Sequence, residues 1–348
     1  MARSAQRPPS VLVAGGAGFV GSHLVDLLLQ DGCDVTVLDS FVTSSPRNLA
    51  HLKRHPRLRL IRRDVRTRVE GAYARIYHLA SPASPDDYGR EPIHTLLTNA
   101  IGTHGLLELA RTCGARLLLA STSEVYGDPL VHPQREDYRG NVDPIGPRSS
   151  YDEGKRFAEA MTIAYVRQHQ VDARIVRIFN TYGPRMRPGD GRMPSAFIAS
   201  ALRGEPIPVH GSGRQTRSLC YVVDTAGGLI AAMERGRAGE VYNIGRPDEL
   251  TVGEFARMVK RATGSASPIR RVPGRPQDIQ RRKPDIAKAR RELGLSPRTT
   301  LEDGLRETVS HFAAELGTAL PLTGAKGPPT KAGVARGTRK RKSRTGAT

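Results

Sequence analysis

The stretch Val11-Leu12-Val13-Ala14-Gly15-Gly16-Ala17-Gly18-Phe19-Val20-Gly21 decides the fold of this 348-residue chain. An apolar run at 11–14 predicts a buried strand, and the residues from 21 to 30 predict a helix. Between them, glycines are spaced G-x-x-G-x-x-G. Gly18 would let the backbone approach a pyrophosphate, and Gly21 would let helix and strand pack closely. Because a helix N-terminus also offers free N–H groups to an anion, the stretch predicts a dinucleotide-binding turn.

An acidic residue at the end of the next predicted strand indicates which dinucleotide is bound. Asp39 follows Gly21 by 18 residues, where a carboxylate would accept hydrogen bonds from the adenosine ribose. A 2′-phosphate would be repelled there, so the pattern favours NAD over NADP. Asp64, after the third strand run, could meet the adenine, although an ordinary surface aspartate explains it almost as well.

The rest of the chain predicts an α/β fold with a Rossmann-type, doubly wound parallel sheet. Apolar runs at 34–38, 58–61, 75–79, 116–120 and 173–178 alternate with helical stretches such as 92–112 and 151–169. After about residue 180, glycine, proline and arginine become dense. We therefore predict an NAD-binding domain over 10–180 and a smaller α/β substrate-binding part over 181–317. Some segments of the second part should return to the sheet, and 1–9 and 318–348 are predicted to be disordered.

The charge of the chain is strongly positive. The formal net charge is +20, and the last 25 residues carry eight lysines and arginines and no acid. The remaining +12 suits an anionic ligand, while the tail could contact nucleic acid or another polyanion. Three widely spaced cysteines predict structural thiols and no metal site. The sequence shows neither a signal-peptide pattern nor an apolar run long enough to span a membrane. We therefore expect a cytoplasmic protein without membrane contact.

Tyr151 and Lys155 form a Y-x-x-x-K pair at the start of a predicted helix. Residues four apart share one helix face. A lysine ammonium beside the phenol would lower the tyrosine pKa and make Tyr151 a general base for a sugar hydroxyl. This spacing also occurs by chance, but Tyr151 is the only one of ten tyrosines that has it.

A cluster of hydroxyls and one carboxylate follows the strand run at 116–120. It reads Ser121-Thr122-Ser123-Glu124, at the carboxyl end of a parallel strand, where open α/β sheets bind ligands. Hydroxyls alone would fit a strand-end cap. A carboxylate next to the expected nicotinamide position instead indicates proton transfer.

Six motifs together resemble the extended short-chain dehydrogenase/reductase family over residues 10–317. They are GGAGFVGSHL, YHLASPASP, STSEVYGDP, YDEGK, RIFNTYGPRM and GSGRQTRS. HLASPASP, YDEGKR, Asp143 to Arg148 and Arg282 to Ile286 are similar to the UDP-glucuronate decarboxylases of that family. The resemblance implies that UDP-glucuronate is oxidised at carbon 4, loses CO2 and is reduced again to UDP-xylose, with NAD regenerated.

The resemblance also implies roles for particular residues. Lys155 would activate Tyr151 and hold the nicotinamide ribose, Thr122 would support the 4-hydroxyl, and Ser123 and Glu124 would act near the carboxylate and carbon 5. The implied cofactor contacts are Gly15, Gly18, Phe19, Val20, Gly21, Asp39, Ser40, Phe41, Asp64, Val65, Leu79, Ser81, Tyr151 and Lys155.

Arginines dominate the implied substrate contacts. Arg282 would bind the substrate carboxylate, with Arg275 as its competitor for that role. Arg192 would reach a phosphate or the cofactor. The implied ligands of the diphosphate and uridine are Asn180, Arg185 and Arg217.

Some positions depart from the family pattern and leave alternatives open. Ser40 replaces a usual asparagine, and Leu97 replaces a lysine that some members carry near the substrate. An oxidative decarboxylase that releases a 4-keto pentose and NADH would use the same Ser-Glu pair. A 4,6-dehydratase or a 4-epimerase is a further alternative. A homodimer is expected through the helices at 92–112 and 151–169.

Overall fold

A computed structural model describes residues 8–274 and 279–319, and it is an α/β structure. Its strands are β1 (Ser10–Ala14), β2 (Asp34–Asp39), β3 (Leu58–Arg62), β4 (Arg75–His78), β5 (Arg116–Thr122), β6 (Ala173–Ile178), β7 (Thr181–Tyr182), β8 (Ile207–His210), β9 (Thr216–Ser218), β10 (Cys220–Tyr221), β11 (Val241–Ile244), β12 (Glu249–Thr251), β13 (Ile269–Val272) and β14 (Arg281–Arg282). Its α-helices are α1 (Phe19–Gln30), α2 (Pro85–Arg90), α3 (Pro92–Leu97), α4 (Thr103–Cys113), α5 (Ser149–His169), α6 (Met193–Leu202), α7 (Val222–Arg235), α8 (Val252–Thr263), α9 (Ala287–Leu293) and α10 (Leu301–Leu316).

Seven strands form one parallel sheet in the order β11-β6-β5-β4-β1-β2-β3. The central strands β1 and β5 are buried almost throughout and rich in valine and leucine, as expected when helices cover both faces. This confirms the predicted Rossmann-type α/β fold.

Two apolar layers flank the sheet. On one face, α1, α7 and α9 pack over residues such as Val13, Val35 and Tyr242. On the other face, α4 and α5 cover residues such as Leu12 and Ile175. The strands are thereby held rigidly, so the loops at their carboxyl ends start from fixed positions.

The C-terminal part has its own apolar core. Helices α6, α8 and α10 meet through Phe197, Phe255 and Phe312 beside the short strands β8 and β13. Two segments of the C-terminal part pack outside this core. Strand β11 adds to the edge of the large sheet beside β6, and α9 packs against α7.

Two predicted elements differ from the structure. The helix predicted over 92–112 is divided into α3 and α4 by a π-helical turn, Thr98–Gly102. The π turn places the amide of Asn99 within 3.1 Å of Ser81 Oγ, beside a predicted cofactor contact. The apolar residues 219–222 also predict a strand, but only Cys220–Tyr221 forms one, because helix α7 already begins at Val222. The predictions for 1–7, Arg275 and 320–348 lie outside the described residues.

Candidate active site

A cleft of about 1010 Å³ lies at the carboxyl ends of β1, β5 and β6. One wall is the sheet with its glycine turn, and the other is the C-terminal part. The cleft brings together most of the residues predicted from the sequence: Gly15, Gly18, Phe19, Val20, Gly21, Leu79, Ser81, Thr122, Ser123, Glu124, Tyr151, Lys155, Asn180, Arg185, Arg192, Arg217 and Arg282.

The glycine turn has no room for side chains. Gly15 has a φ of +81°, and a Cβ there would lie 2.7 Å from the backbone nitrogen of Ala80. A Cβ on Gly21 would lie 2.2 Å from the carbonyl oxygen of Gly15. Helix α1 begins at Phe19, after Gly18, and no side chain caps its first turn. Its leading N–H groups are thus available to an anion.

Asp39 ends β2 beside this turn and is held in a fixed orientation. Its carboxylate is 8% exposed and accepts hydrogen bonds from the backbone N–H groups of Ala17 and Phe41, both at 3.0 Å. The Ser44 hydroxyl donates to it at 2.7 Å. Carboxylate oxygens can accept further bonds, so Asp39 is suited to receive a ribose diol.

A smaller pocket continues the cleft past Asp39. It is lined by Ser40, Asp64 and Val65, together with glycine-turn residues. Arg66 donates to the Asp64 carboxylate at 2.7 Å and lowers its pKa, although partial burial opposes this. Asp64 would therefore present an already paired carboxylate to an adenine. Phe41 does not line either described pocket; its ring lies under the guanidinium of Arg62.

Tyr151 and Lys155 share one face of α5 at the floor of the cleft. The Tyr151 side chain is hydrogen-bonded to Thr122 at the end of β5. Lys155 Nζ is 6.0 Å from the centre of the Tyr151 ring and donates to the carbonyl oxygen of Ala120 at 2.9 Å. The ring of Tyr88 stacks on Tyr151 at 5.1 Å, almost parallel to it. These contacts fix the phenol between a hydroxyl and an aromatic ring.

The expectation that Lys155 lowers the pKa of Tyr151 is wrong for the protein without ligands. Burial of Tyr151 raises its pKa, and Lys155 is not among the groups that oppose this. Burial also lowers the pKa of Lys155 to about 8, while Glu159 pulls it upward. The lysine gives its hydrogen bond to Ala120 and not to the phenol. Desolvation thus outweighs the attraction between the two side chains.

Glu124 lies at the centre of a partly buried charge cluster. Arg282 Nη1 is 3.0 Å from Glu124 Oε1, and Arg148 pairs with Glu124 Oε2. Arg282 also donates to Ser123 Oγ at 2.9 Å and to the carbonyl oxygen of Gly127 at 2.8 Å. Burial opposes ionisation of Glu124, but the two guanidinium groups prevail and lower its pKa. The cluster therefore presents an ionised carboxylate with excess positive charge around it.

Three further arginines predicted to bind the substrate lie among the described residues, and each already has partners within the protein. Arg185, which has a φ of +66°, lies 2.7 Å from Asp26 on α1. Arg192 pairs with Asp190 and lies over the Phe19 ring. Arg217 donates to two backbone carbonyl oxygens at 2.8 Å. All three still line the cleft, together with Asn180.

Sequence reasoning missed three residues of the site. Arg148 appears in the sequence analysis only as the end of a motif, yet it lines the cleft and forms an ion pair with Glu124. Tyr88, on α2, lines the cleft against Tyr151. Asp152 is buried and lies 3.6 Å from Arg148. The spacing of Arg148 and Asp152, four residues apart at a helix start, was the available signal.

Within 8–274 and 279–319, no group of three or more histidine, cysteine, aspartate or glutamate side chains is arranged to hold a metal ion. In the same part of the chain, none of the helices has the length and apolar character needed to span a bilayer.

Comparisons with known proteins agree with this geometry. The chain is 53% identical over 309 residues to UDP-glucuronic acid decarboxylase 1 of Danio rerio, covering 88% of this chain and 73% of that protein. It is 53% identical over 296 residues to UDP-glucuronic acid decarboxylase 3 of Arabidopsis thaliana, covering 85% and 86%.

Solved structures share the fold over nearly their whole length. UDP-glucose 4-epimerase from Thermotoga maritima, solved with UDP-glucose, superposes with a TM-score of 0.80 at 30% identity, over 88% of this chain and 99% of that one. A double mutant of a dTDP-glucose 4,6-dehydratase from Streptomyces venezuelae, solved with NAD, has a TM-score of 0.80 at 33% identity, over 88% and 98%. The model of the NAD dependent epimerase/dehydratase family matches residues 11–245. The chain therefore belongs to the NAD dependent epimerase/dehydratase family, among the relatives of UDP-glucuronic acid decarboxylases.

Proposed function

We propose that this chain binds NAD and converts UDP-glucuronate to UDP-xylose and CO2, with the cofactor regenerated in each cycle. The observation that carries the proposal is the pairing of Glu124 with Arg282 and Arg148 in the same cleft as the Tyr151–Thr122 contact. The cleft therefore contains both a tyrosine suited to acid-base chemistry and a cluster of arginines suited to binding an anion. About half of the residues are identical to those of named UDP-glucuronic acid decarboxylases.

The residues of the glycine turn fit a dinucleotide. Cβ atoms on Gly15 or Gly21 would collide with backbone, so only glycine leaves this surface open. The N-terminus of α1 would meet the pyrophosphate, and Asp39 would accept the adenosine ribose hydroxyls. When bound with its nicotinamide near Tyr151, NAD+ would take a hydride from carbon 4 of the sugar and later return it.

Tyr151 is the proposed general base. As the hydride leaves carbon 4, Tyr151 takes the proton of the 4-hydroxyl. The Thr122 hydroxyl would hydrogen-bond to both the phenol and the 4-hydroxyl and so hold them together. Because burial raises the pKa of Tyr151, its phenolate needs nearby positive charge. Arg192 provides such charge, because it already lowers the pKa of Tyr151. Lys155, 6.0 Å from the centre of the Tyr151 ring, is proposed to hold the nicotinamide ribose.

The charge cluster is assigned to decarboxylation. Once carbon 4 is a ketone, the carboxylate is β to a carbonyl, so the bond from carbon 5 to carbon 6 can break with its electrons flowing to the ketone oxygen. Ser123, Glu124 and Arg282 would surround the departing carboxylate, and carbon 5 then receives a proton. Glu124, held ionised by its arginines, would orient a water molecule that delivers a solvent proton to that carbon.

The outer cleft would hold the nucleotide diphosphate. Arg185, Arg192 and Arg217 line it with Asn180, and each arginine now makes contacts within the protein. A diphosphate brings two negative charges and can compete for these guanidinium groups. The basic composition of the chain is consistent with such a substrate.

A homodimer through the helical segments 92–112 and 151–169 belongs to the same proposal. These segments pack against each other and expose Ile93 (71%), Leu96, Ile101 and Phe157 (49%) to solvent. Apolar side chains so exposed on adjacent helices are typical of an interface. Light scattering after gel filtration tests this: a protein of twice the chain mass is expected, and Phe157→Glu should shift it toward the monomer.

The basic tail is proposed to bind polyanions alongside catalysis. Its eight cations are unbalanced by acids. Binding should weaken as salt increases. Titration of nucleic acid against the full chain and a chain ending at Leu320 compares the two; equal affinity contradicts the proposal.

The decisive experiment is incubation with UDP-glucuronate and substoichiometric NAD+, followed by NMR of the product. UDP-xylose and CO2 in excess over NAD+ are expected. Accumulation of a 4-keto pentose with equivalent NADH would instead identify an oxidative decarboxylase. Absence of CO2 would refute decarboxylation altogether.

A further inference from the structure

We infer that Asp152 is a positioning residue of the reaction: through Arg148 it governs how firmly Glu124 is held in the cleft. This inference rests on the function proposed above. Glu124 and Arg148 line the cleft, whereas Asp152 is 5% exposed and is not among the described residues that line it. Asp152 can thus act on a substrate only through a neighbour.

Arg148 is the neighbour that joins the two carboxylates. One end of its guanidinium pairs with Glu124 Oε2, and its Nε lies 3.6 Å from Asp152 Oδ2. The backbone N–H of Asp152 donates to the carbonyl oxygen of Arg148 at 3.1 Å, so the first turn of α5 fixes their separation. Arg148 has a 30% exposed side chain, while Arg282 has one of only 2%. Of the two arginines on Glu124, Arg148 is the one with room to move.

Asp152 is unusually poor in partners. Its Oδ1 is buried and has no hydrogen-bond partner among the described residues. The charged groups around Asp152 are Glu124 from the turn after β5, Arg282 from β14 and Arg148, which directly precedes α5. Tyr88 on α2 faces the same cluster through Arg148. An ionised carboxylate in this setting is costly, because one oxygen is unsatisfied and Glu124 repels it.

The surroundings therefore favour a proton on Asp152 near neutral pH. Burial first, and then the charge of Glu124, raise the pKa of Asp152 to about 7, although Arg148 and Arg282 oppose them. While Asp152 is neutral, Arg148 is committed to Glu124. When Asp152 loses its proton, two carboxylates compete for one mobile guanidinium, and Glu124 is held less firmly.

Asp152→Asn tests the inference, because it keeps the shape of the protonated side chain and cannot ionise. We expect kcat of the native enzyme to fall severalfold through an inflection near pH 7, and kcat of Asp152→Asn to lack that inflection. Any inflection due to Lys155 should remain in both proteins. If Asp152→Asn keeps the native inflection, or loses the same factor of activity at every pH, the inference is wrong.

The route through Arg148 has its own test. In an Arg148→Met background, adding Asp152→Asn should change neither the level nor the pH profile of the residual decarboxylation rate. A full effect of Asp152→Asn in that background would overturn the inference. Should either variant fold poorly, Asp152→Ser provides a second non-ionising side chain. Failure of the proposed function is distinct, since native enzyme would then release no CO2 at any pH.

Discussion

Arg282 and Glu124, 158 residues apart in the chain, form an ion pair in which the arginine is fully buried. Arg282→Met would leave Glu124 paired with Arg148. It would also remove the hydrogen bonds that Arg282 donates to Ser123 Oγ and to the carbonyl oxygen of Gly127. Loss of one partner from a buried pair costs roughly 3–5 kcal/mol of unfolding free energy, and we expect about 3 kcal/mol because Arg148 remains. Urea denaturation measures this.

Arg281→Met is the matched control for that change. Arg281 is the exposed neighbour on the same strand, so its loss should alter the unfolding free energy by less than about 0.5 kcal/mol. Equal effects of the two substitutions would argue against a structural role for the Arg282–Glu124 pair.

Tyr151→Phe should abolish most of the activity while preserving the fold. The phenylalanine ring can still stack on Tyr88, and only the hydroxyl bonded to Thr122 is lost. Removal of a general base lowers the rate about 10²- to 10⁴-fold. Steady-state CO2 release at saturating UDP-glucuronate is the measurement. Tyr165→Phe, which removes a hydroxyl from the same helix, is the control and should keep nearly full activity. Retention of activity in Tyr151→Phe would exclude the proposed base.

Gly21→Ala should weaken NAD binding and lower the melting temperature. The added Cβ would lie 2.2 Å from the Gly15 carbonyl oxygen, so the turn must shift. Gly227→Ala in α7 is the matched change, because its Cβ meets nothing within 4 Å. Alanine there should stabilise the protein by about 0.4–1 kcal/mol. Calorimetry and NAD titration compare the two; similar melting temperatures would contradict the close packing at Gly21.

Acid should destabilise the protein through two buried histidines. Burial lowers the pKa of His78 to about 3 and that of His23 to about 4, whereas an unfolded histidine titrates near 6.5. Both folded-state values are depressed, so stability is full above pH 6.5 and is lost as the pH falls toward 4. Each histidine contributes up to about 1.4 kcal/mol per pH unit.

His78→Asn isolates one of these contributions. Denaturation at pH 7 and pH 5 should give a smaller difference in unfolding free energy for His78→Asn than for the native chain. His169→Asn, at the exposed end of α5, is expected to leave the difference unchanged. A native slope in His78→Asn would show that another group takes up the proton.

Local sequence predicted the features that local geometry determines. The glycine turn and Asp39 follow from residues 11–39, whose backbone leaves few alternatives. By contrast, the Arg282–Glu124 pair joins distant segments, and no spacing in the sequence reveals it. The expected effect of Lys155 on Tyr151 failed because burial, which outweighs the lysine, depends on the whole fold. Likewise, Arg185 pairs with Asp26 of α1, and residue spacing in the sequence does not indicate that this helix lies beside residue 185.

Strand β11 restricts how the cleft can open. It belongs to the C-terminal part of the chain but is hydrogen-bonded into the sheet that carries β1. Because the chain returns to the sheet here, the connections on both sides of β11 tether one wall to the other. We therefore expect ligands to exchange by rearrangement of side chains at the rim, with the whole chain unfolding as a single cooperative unit. Such a frame would suit the proposed cycle, in which the cofactor is regenerated and need not leave between turnovers.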